Sequence, residues 1–378
     1  MSTEHLDQTI DDRRRWRRLP YGRAILVYLL VHLATLLGVA VVDLFTHHGL
    51  IDNLSIWDGT WFLRAVHHGW PSHLPMAHGQ VLASPVAFFP LLPIVLRTIA
   101  VLTGLNAAVV GLVVSGVTGL SALVAIATLA REFAGEVKAE RAALLIALSP
   151  GSFVFNLIYA EGFLLTFVAL GLWALLRRRW LLAGLLGALA TAASPVGVAF
   201  VVSCVVTSVL AIGRDREWRS LWAPLLAPLG FIAWMAYLWI HTGNAMAWRL
   251  TERGGWNSYP SLLYPFRILA KFIANPLSPT MTGQILFAGT VITIVMLVVA
   301  FRERQPVPVL TYATTAVVLF AISYPVGLRP RFVMLAFPLT IAAATRWSGW
   351  RYRAVVAASA VFLVLMTVET LNSFAVFP

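Results

Sequence analysis

Apolar runs long enough to cross a lipid bilayer recur along this sequence, and no other feature restricts its fold so strongly. They begin near residue 24 and follow one another to residue 371. Hydrophobic residues make up 59% of the 378 residues and charged residues only 12%, whereas about 25% is usual in soluble domains. So few charged side chains cannot coat a water-soluble globule of this size. The sequence therefore predicts an all-α, polytopic integral membrane protein.

The apolar segments predict about eleven membrane-spanning helices, and a range of about ten to thirteen fits the pattern because several segments are shorter than the usual span. The stretch 142–158 is apolar enough to form an additional half-span. The predicted spans are 24–45, 88–104, 107–130, 160–176, 180–195, 197–212, 221–241, 283–301, 306–324, 331–345 and 353–371.

Basic residues predict the orientation of these spans, because short cytoplasmic loops are enriched in Lys and Arg. Residues 1–23 are polar and Arg-rich, and we interpret them as a basic cytoplasmic segment in front of a retained signal anchor. With the N-terminal arginines, 17 of the 28 basic residues then fall inside, so the net charge of +12 is mainly a topology signal and indicates no nucleic-acid partner. Residues 24–378 form one transmembrane domain, with outward loops 46–87 and 242–282 and an outward region 131–159.

The first outward loop contains the sequence WDGTWFLRAVHHGW at 57–70. On a helix that starts near Trp57, the side chains of Trp57, Trp61, Arg64 and His68 share one face, which predicts an amphipathic helix at the membrane interface. Asp58 stands at the start of this helix, where free backbone N–H groups stabilise an ionised carboxylate.

Asp58 has two interpretations, a helix cap or a general base beside the membrane surface. The scarcity of carboxylates favours the second, because the whole chain has only 16 acidic residues. Among those predicted to face outward, Asp58 and Glu161 lie among aromatic residues near a span.

Four sequence strings carry a family resemblance. They are WDGTWFLRAVHHGW at 57–70, AFFPLLPIVLR at 87–97, SPGSFVFNLIYAEGFLL at 149–165 and HTGNAMAWRLTERGGW at 241–256. Their order and spacing resemble those of the PIG-V-like mannosyltransferases, which have many actinobacterial members and belong to the GT-C glycosyltransferases. The resemblance implies a polytopic helical enzyme that takes a sugar from a polyprenyl phosphate on the outer face of the membrane and inverts its anomeric configuration.

The resemblance also implies roles for single residues. Asp58 matches an aspartate that deprotonates the acceptor hydroxyl, and a single displacement needs one such base on the acceptor side. Glu161 matches a YSE-like motif, here with Ala160 in place of Ser, and together with Tyr159 it would orient the site.

Three basic residues are candidates for holding the donor phosphate, since a phosphate leaving group needs positive charge. Arg329 and Arg331 match basic residues near the last conserved spans, and Lys271 lies in the second outward loop. The chain departs from its relatives at Asn244, where Asp is frequent, and at Ser194, where a basic residue is frequent. Both changes remove charge, so the acceptor and the donor sugar are the least determined parts of the prediction.

Aromatic and polar side chains of the outward loops could bind sugar, or could simply anchor the protein at the membrane interface. Most of the nine histidines lie in the first loop, but they lack the spacing of a zinc protease, so we predict no metal site. The candidates for acceptor or sugar binding are Trp57, Trp61, His67, His68, His241, Asn244 and Trp256.

The sequence thus predicts a multi-pass protein of the cytoplasmic membrane that transfers mannose from a polyprenyl-phosphate donor, with its active site on the extracytoplasmic side. Its partners would be this lipid-linked donor as co-substrate, a glycolipid or cell-envelope glycan as acceptor, and membrane lipids, with no cofactor. Two alternatives stay open: an arabinosyltransferase using polyprenyl-phosphate arabinose, and a transporter or flippase of lipid-linked sugar. Transporters usually carry ionisable residues at mid-membrane, and here Arg97 is the only charge clearly within a predicted span.

Overall fold

The computed structural model describes residues 21–46, 49–275 and 281–372, so the predicted basic segment lies almost wholly outside the described residues. The described helices are α1 (Gly22–Thr46), α2 (Leu50–Leu54), α3 (Asp58–His68), α4 (Leu91–Thr103), α5 (Ala107–Ala134), α6 (Glu136–Ala147), α7 (Glu161–Leu176), α8 (Trp180–Ala193), α9 (Val198–Asp215), α10 (Trp222–Leu226), α11 (Leu229–Thr242), α12 (Ala247–Trp256), α13 (Tyr264–Ala274), α14 (Met281–Arg302), α15 (Val307–Ile322), α16 (Pro330–Leu335), α17 (Pro338–Arg346) and α18 (Gly349–Asn372). The described residues also form four two-residue strands, β1 (Met76–Ala77), β2 (Gln80–Val81), β3 (Tyr259–Pro260) and β4 (Ser323–Tyr324). Among the same residues, four short 3-10 helices lie at Pro85–Ala87, Ser152–Asn156, Pro195–Gly197 and Trp218–Leu221.

Six of the described helical segments are long and apolar enough to cross a membrane. Four shorter apolar helices, α4, α7, α8 and α15, accompany them. The six candidate spans are Gly22–Val41, Ala107–Ala134, Pro195–Asp215, Trp218–Thr242, Gly283–Arg302 and Gly349–Leu371. The prediction of an all-α polytopic membrane protein is confirmed, whereas the number of eleven spans stays a prediction.

The prediction that 131–159 is an outward region is wrong for its first half. The carboxylate of Glu132 lies 2.7 Å from Nε of Arg177, a residue predicted on the cytoplasmic side. Tyr352, also predicted inside, donates a hydrogen bond to the carbonyl of Arg141 at 3.0 Å. Helices α5 and α7 therefore end at the same end of the bundle, and α6 brings the chain back between them. The sequence hides this because the charged residues around α6 look the same on either side of a membrane.

Helix α4, predicted as the span 88–104, does not cross the bundle. Its Leu92 and Leu96 pack with Phe62 of α3 and with Ile158, which precedes α7, so it stays at the end that carries Asp58. The chain thus runs between the two ends of the bundle at α6 and not at α4. Because one crossing replaces another, the predicted direction of every later span is unchanged.

Two small antiparallel pairings lie in the predicted outward segments. Strands β1 and β2 form a hairpin whose turn residues, His78 and Gly79, both have positive φ. Strand β3 pairs with β4, with Tyr259 opposite Tyr324, and so joins the second outward loop to the segment that leads into α16. The β3–β4 pairing therefore brings the segment that follows Glu252 next to the one that leads to Arg331.

Candidate active site

Asp58 is the first residue of α3, as the sequence predicts. The preceding Trp57 has a φ of 58°, a conformation that residues with a side chain rarely adopt. Its indole N–H donates a hydrogen bond of 3.2 Å to the carbonyl of Thr370 in α18, which fixes the turn. Gly59 lies against Ile158, since a Cβ placed there would come within 3.3 Å of the Cβ of that residue. The sequence Trp-Asp-Gly thus holds Asp58 beside the segment that leads into α7.

Arg331 joins the two carboxylates that the sequence singles out. Its NH2 atom lies 2.6 Å from Oδ2 of Asp58, and its Nε donates a hydrogen bond to Oε1 of Glu161. The Arg331 side chain is 13% exposed and that of Glu161 only 7%, whereas Asp58 keeps 27% of its side-chain surface accessible. Asp58 is therefore the member of this carboxylate–arginine–carboxylate cluster that a substrate can reach.

Tyr159 and Gly151 complete the support of this cluster. The guanidinium carbon of Arg331 lies 4.4 Å from the centre of the Tyr159 ring, a favourable cation–π contact. Gly151 lies directly on the backbone of α16, because an added Cβ would come within 2.6 Å of the Pro330 oxygen and 2.9 Å of the Arg331 Cα. Only glycine permits this approach, so the string at 149–165 positions Arg331 as well as Glu161.

The three predicted phosphate ligands differ in surroundings. Arg331 has two carboxylate partners, a role that the sequence does not predict. Arg329 is buried, and its NH2 lies 3.4 Å from the carbonyl oxygen of Pro325, to which the hydroxyl of Tyr264 also donates. Lys271 is exposed on α13. Their predicted contact with a donor phosphate stays a prediction.

Two of the predicted sugar-binding tryptophans meet in one aromatic cluster. The rings of Trp61 and Trp256 pack edge to face with their centres 5.3 Å apart, and Phe88 contacts both. The guanidinium carbon of Arg64 lies 4.4 Å from the centre of the Trp61 ring. The two loops predicted to face outward therefore meet at this cluster, close to Asp58.

The four predicted polar ligands of a sugar lie at the end of α3, in α11 and in the turn that follows α11. His67 and His68 are exposed at the end of α3. His241 stacks on Tyr237, and its Nε2 lies 2.9 Å from the carbonyl oxygen of Trp70. The side-chain oxygen of Asn244 accepts a hydrogen bond from the backbone N–H of Met246 and so stabilises its own turn. None of these contacts connects the four side chains to Asp58.

Sequence reasoning misses Glu252 as a site residue. It lies on α12, one turn before Trp256, and is half-buried. Burial raises the pKa of Glu252 to about 7, a hydrogen bond from Ser258 opposes this, and the charge on Asp58 adds to the rise. Glu252 is therefore within electrostatic reach of Asp58. Its spacing to Trp256 repeats on α12 the pairing of Asp58 with Trp61 on α3, and this is the signal that could have identified it.

Across the described ranges, no three His, Cys, Asp or Glu side chains are grouped so that they could hold a metal ion.

The fold is similar to that of ArnT from Cupriavidus metallidurans, of which two solved structures align with this chain. The apo form aligns at a TM-score of 0.52 and 16% identity, covering 83% of this chain and 60% of ArnT. The form bound to undecaprenyl phosphate aligns at 0.52 and 15%, covering 92% of this chain and 71% of ArnT. An oligosaccharyltransferase from Archaeoglobus fulgidus aligns at a TM-score of 0.49 and 14% identity, covering 92% of this chain and 56% of that protein.

The family model described as Mannosyltransferase (PIG-V) matches residues 28–212. This match confirms the resemblance that the sequence strings indicate. The matched range contains Asp58, Tyr159 and Glu161, whereas Glu252 and Arg331 lie beyond it. No curated protein matches the chain significantly.

Proposed function

We propose that this protein is an inverting glycosyltransferase that moves a mannosyl group from polyprenyl-phosphate mannose to a hydroxyl group of a lipid-linked or cell-envelope glycan. Transfer would take place on the extracytoplasmic face of the cytoplasmic membrane. One observation carries the proposal: the accessible carboxylate of Asp58 is held by an arginine that Glu161 also holds. The match of residues 28–212 to the mannosyltransferase family supports mannose as the transferred sugar.

In the proposed reaction, Asp58 removes the proton from the acceptor hydroxyl, and the oxygen of that hydroxyl attacks the anomeric carbon of the donor. The bond between that carbon and the phosphate oxygen breaks, and its electron pair leaves with the polyprenyl phosphate. Because attack comes from the face opposite the leaving group, the anomeric configuration inverts. Arg329 and Lys271 supply positive charge for the departing phosphate.

Arg331 and Glu161 serve this reaction by holding Asp58. Two hydrogen bonds fix the guanidinium between the carboxylates, and this fixed geometry points the base toward the acceptor. When Asp58 has taken the proton and become neutral, Arg331 is still paired with Glu161. No buried positive charge is therefore left uncompensated during the transfer.

The test uses the purified full-length protein in lipid nanodiscs with synthetic polyprenyl-phosphate mannose and, in parallel, polyprenyl-phosphate arabinose. We expect released polyprenyl phosphate and a mannosylated product whose anomeric configuration, measured by NMR, is opposite to that of the donor. Use of the arabinose donor alone would establish an arabinosyltransferase instead. In liposomes, movement of an unchanged lipid-linked sugar across the bilayer without a new glycosidic bond would establish a transporter.

A further inference from the structure

Two helices meet at the site, and each carries a carboxylate one turn away from a tryptophan. On α3 the pair is Asp58 and Trp61, three residues apart, and on α12 it is Glu252 and Trp256, four residues apart. Residues with these spacings lie on the same face of a helix. Since Trp61 and Trp256 contact each other, with ring centres 5.3 Å apart, the two carboxylate-bearing faces are turned toward one another.

Helix α12 is held firmly in this orientation. An added Cβ on Gly254 would come within 2.3 Å of the Val81 oxygen, and one on Gly255 within 2.5 Å of the Ala83 Cα. The C-terminal half of α12 therefore lies directly on the strand segment that follows the β1–β2 turn. The carbonyl of Glu252 accepts a hydrogen bond from the backbone N–H of Ser258 at 3.0 Å, which closes the end of the helix.

The ionised carboxylate of Glu252 is energetically unfavourable in its surroundings. Among the described residues no Lys, Arg or His forms an ion pair with Glu252, and the charge on Asp58 disfavours its ionisation. A half-buried carboxylate that lacks a cation lowers stability unless another interaction compensates. Carboxylates in such surroundings cluster at binding and catalytic sites, where a ligand supplies the missing hydrogen bonds.

We propose that Glu252 binds the acceptor: its carboxylate accepts a hydrogen bond from a second hydroxyl group, next to the hydroxyl that Asp58 deprotonates. This rests on the proposed function and narrows it. The acceptor is then a sugar or another polyol with at least two neighbouring hydroxyl groups, and a simple alcohol or the side chain of Ser or Thr is excluded. The edge-to-face pair of Trp61 and Trp256 forms the apolar wall against which the C–H groups of the ring pack.

The test compares wild-type protein with Glu252→Gln in nanodiscs, using octyl α-mannoside and its mono-deoxy analogues as acceptor probes. Glu136→Gln, which removes an exposed carboxylate from α6, is the matched control. Three quantities are measured: binding of each probe by tryptophan fluorescence, mannosyl transfer from polyprenyl-phosphate mannose, and hydrolysis of that donor without acceptor.

In the wild type, we expect one deoxy analogue to bind about 10- to 100-fold more weakly than octyl α-mannoside, because the charged group loses its hydrogen bond. Glu252→Gln should weaken binding of octyl α-mannoside to a similar extent and should no longer distinguish it from that one analogue. The loss in transfer should appear mainly in the KM for the acceptor, and donor hydrolysis should stay within about twofold of wild type.

Equal losses in Glu252→Gln for every analogue, or unchanged binding of octyl α-mannoside, would overturn the assignment of Glu252. A parallel loss of donor hydrolysis would do so as well, because it would place the effect on the fold or the donor site. The proposed function fails separately, if the probe binds through Glu252 but wild-type protein neither transfers mannose nor hydrolyses the donor.

Discussion

Two regions of the molecule place a second carboxylate near Asp58, and they differ in whether a cation neutralises that second carboxylate. At the start of α7, Glu161 is almost fully buried and is paired with Arg331, which also stacks on Tyr159. On α12, Glu252 has no cationic partner among the described residues and shares a hydrogen bond with Ser258. A paired carboxylate fixes the geometry of its neighbours, whereas an unpaired one is ready to bind a ligand. We therefore assign a supporting role to the first region and a recognition role to the second.

Loss of the paired region should have the largest effect. Arg331→Gln leaves Asp58 and Glu161 as neighbouring carboxylates without their shared cation, so we expect a destabilisation of about 3–5 kcal/mol and loss of measurable transfer. Thermal unfolding in detergent and the transfer assay measure the two effects.

Arg331→Lys is the control for this variant, because lysine keeps the charge but lacks the planar fork, with donors on separate nitrogens, that spans the two carboxylates. It should recover much of the stability and little of the activity. Full activity in Arg331→Lys would show that charge alone, rather than the bridge, is what Asp58 requires.

An intermediate effect is expected where the glycine contact positions Arg331. Gly151→Ala forces a methyl group against the Pro330 oxygen and the Arg331 Cα, which cannot both yield without moving α16. We expect a cost of about 1–3 kcal/mol in the free energy of unfolding. Transfer should fall about 10- to 100-fold, because small displacements of catalytic groups are costly.

Gly38→Ala is the matched control, since a Cβ on that glycine of α1 meets nothing within 4 Å. It should leave both stability and transfer close to wild type. Equal behaviour of the two alanine variants would contradict the close packing of residues 149–157 on α16.

The smallest effect should come from the titration of Glu252, the carboxylate without a cationic partner among the described residues. Burial raises the pKa of Glu252 to about 7, and α12 lies outside the predicted membrane spans. Below that pH the group is protonated and above it is a carboxylate, which accepts the stronger hydrogen bond. We expect kcat/KM for the acceptor to rise about three- to tenfold as the pH increases through 7, and Glu252→Gln to lack this step. An unchanged step in Glu252→Gln would assign it to another group.

The two carboxylates of the paired region could be predicted from the sequence, but their shared partner could not. Asp58 and Glu161 were identifiable because each stands at the start of a helix among aromatic residues, in motifs that are local. The bridge through Arg331 could not be identified, since Arg331 lies 273 positions from Asp58 and 170 positions from Glu161 in the chain. Which pair of side chains a distant arginine joins depends on tertiary packing, which short motifs do not encode.

The membrane topology shows the same limit. The apolar runs predicted nearly every helix, but the exchange of α4 for α6 as a crossing segment depends on whether short helices cross the bundle or lie at its end. Both have similar length, with 13 and 12 residues, and the contact of Glu132 with Arg177 decides between them. Glu252 was overlooked because it lies in a segment with several charged residues. Its four-residue spacing to Trp256 is visible in the sequence, but its approach to Asp58 depends on the packing of α12 against α3.

The most direct test of the account compares Asp58→Asn with Glu161→Gln in donor hydrolysis and in transfer. Each variant replaces one carboxylate partner of Arg331 with an amide of nearly the same size. If Asp58 is the base, Asp58→Asn should lower kcat about 100- to 10,000-fold with unchanged donor binding, and Glu161→Gln should lose less activity and more thermal stability. Transfer at the wild-type rate by folded Asp58→Asn would contradict the central claim that the accessible carboxylate of the cluster removes the acceptor proton.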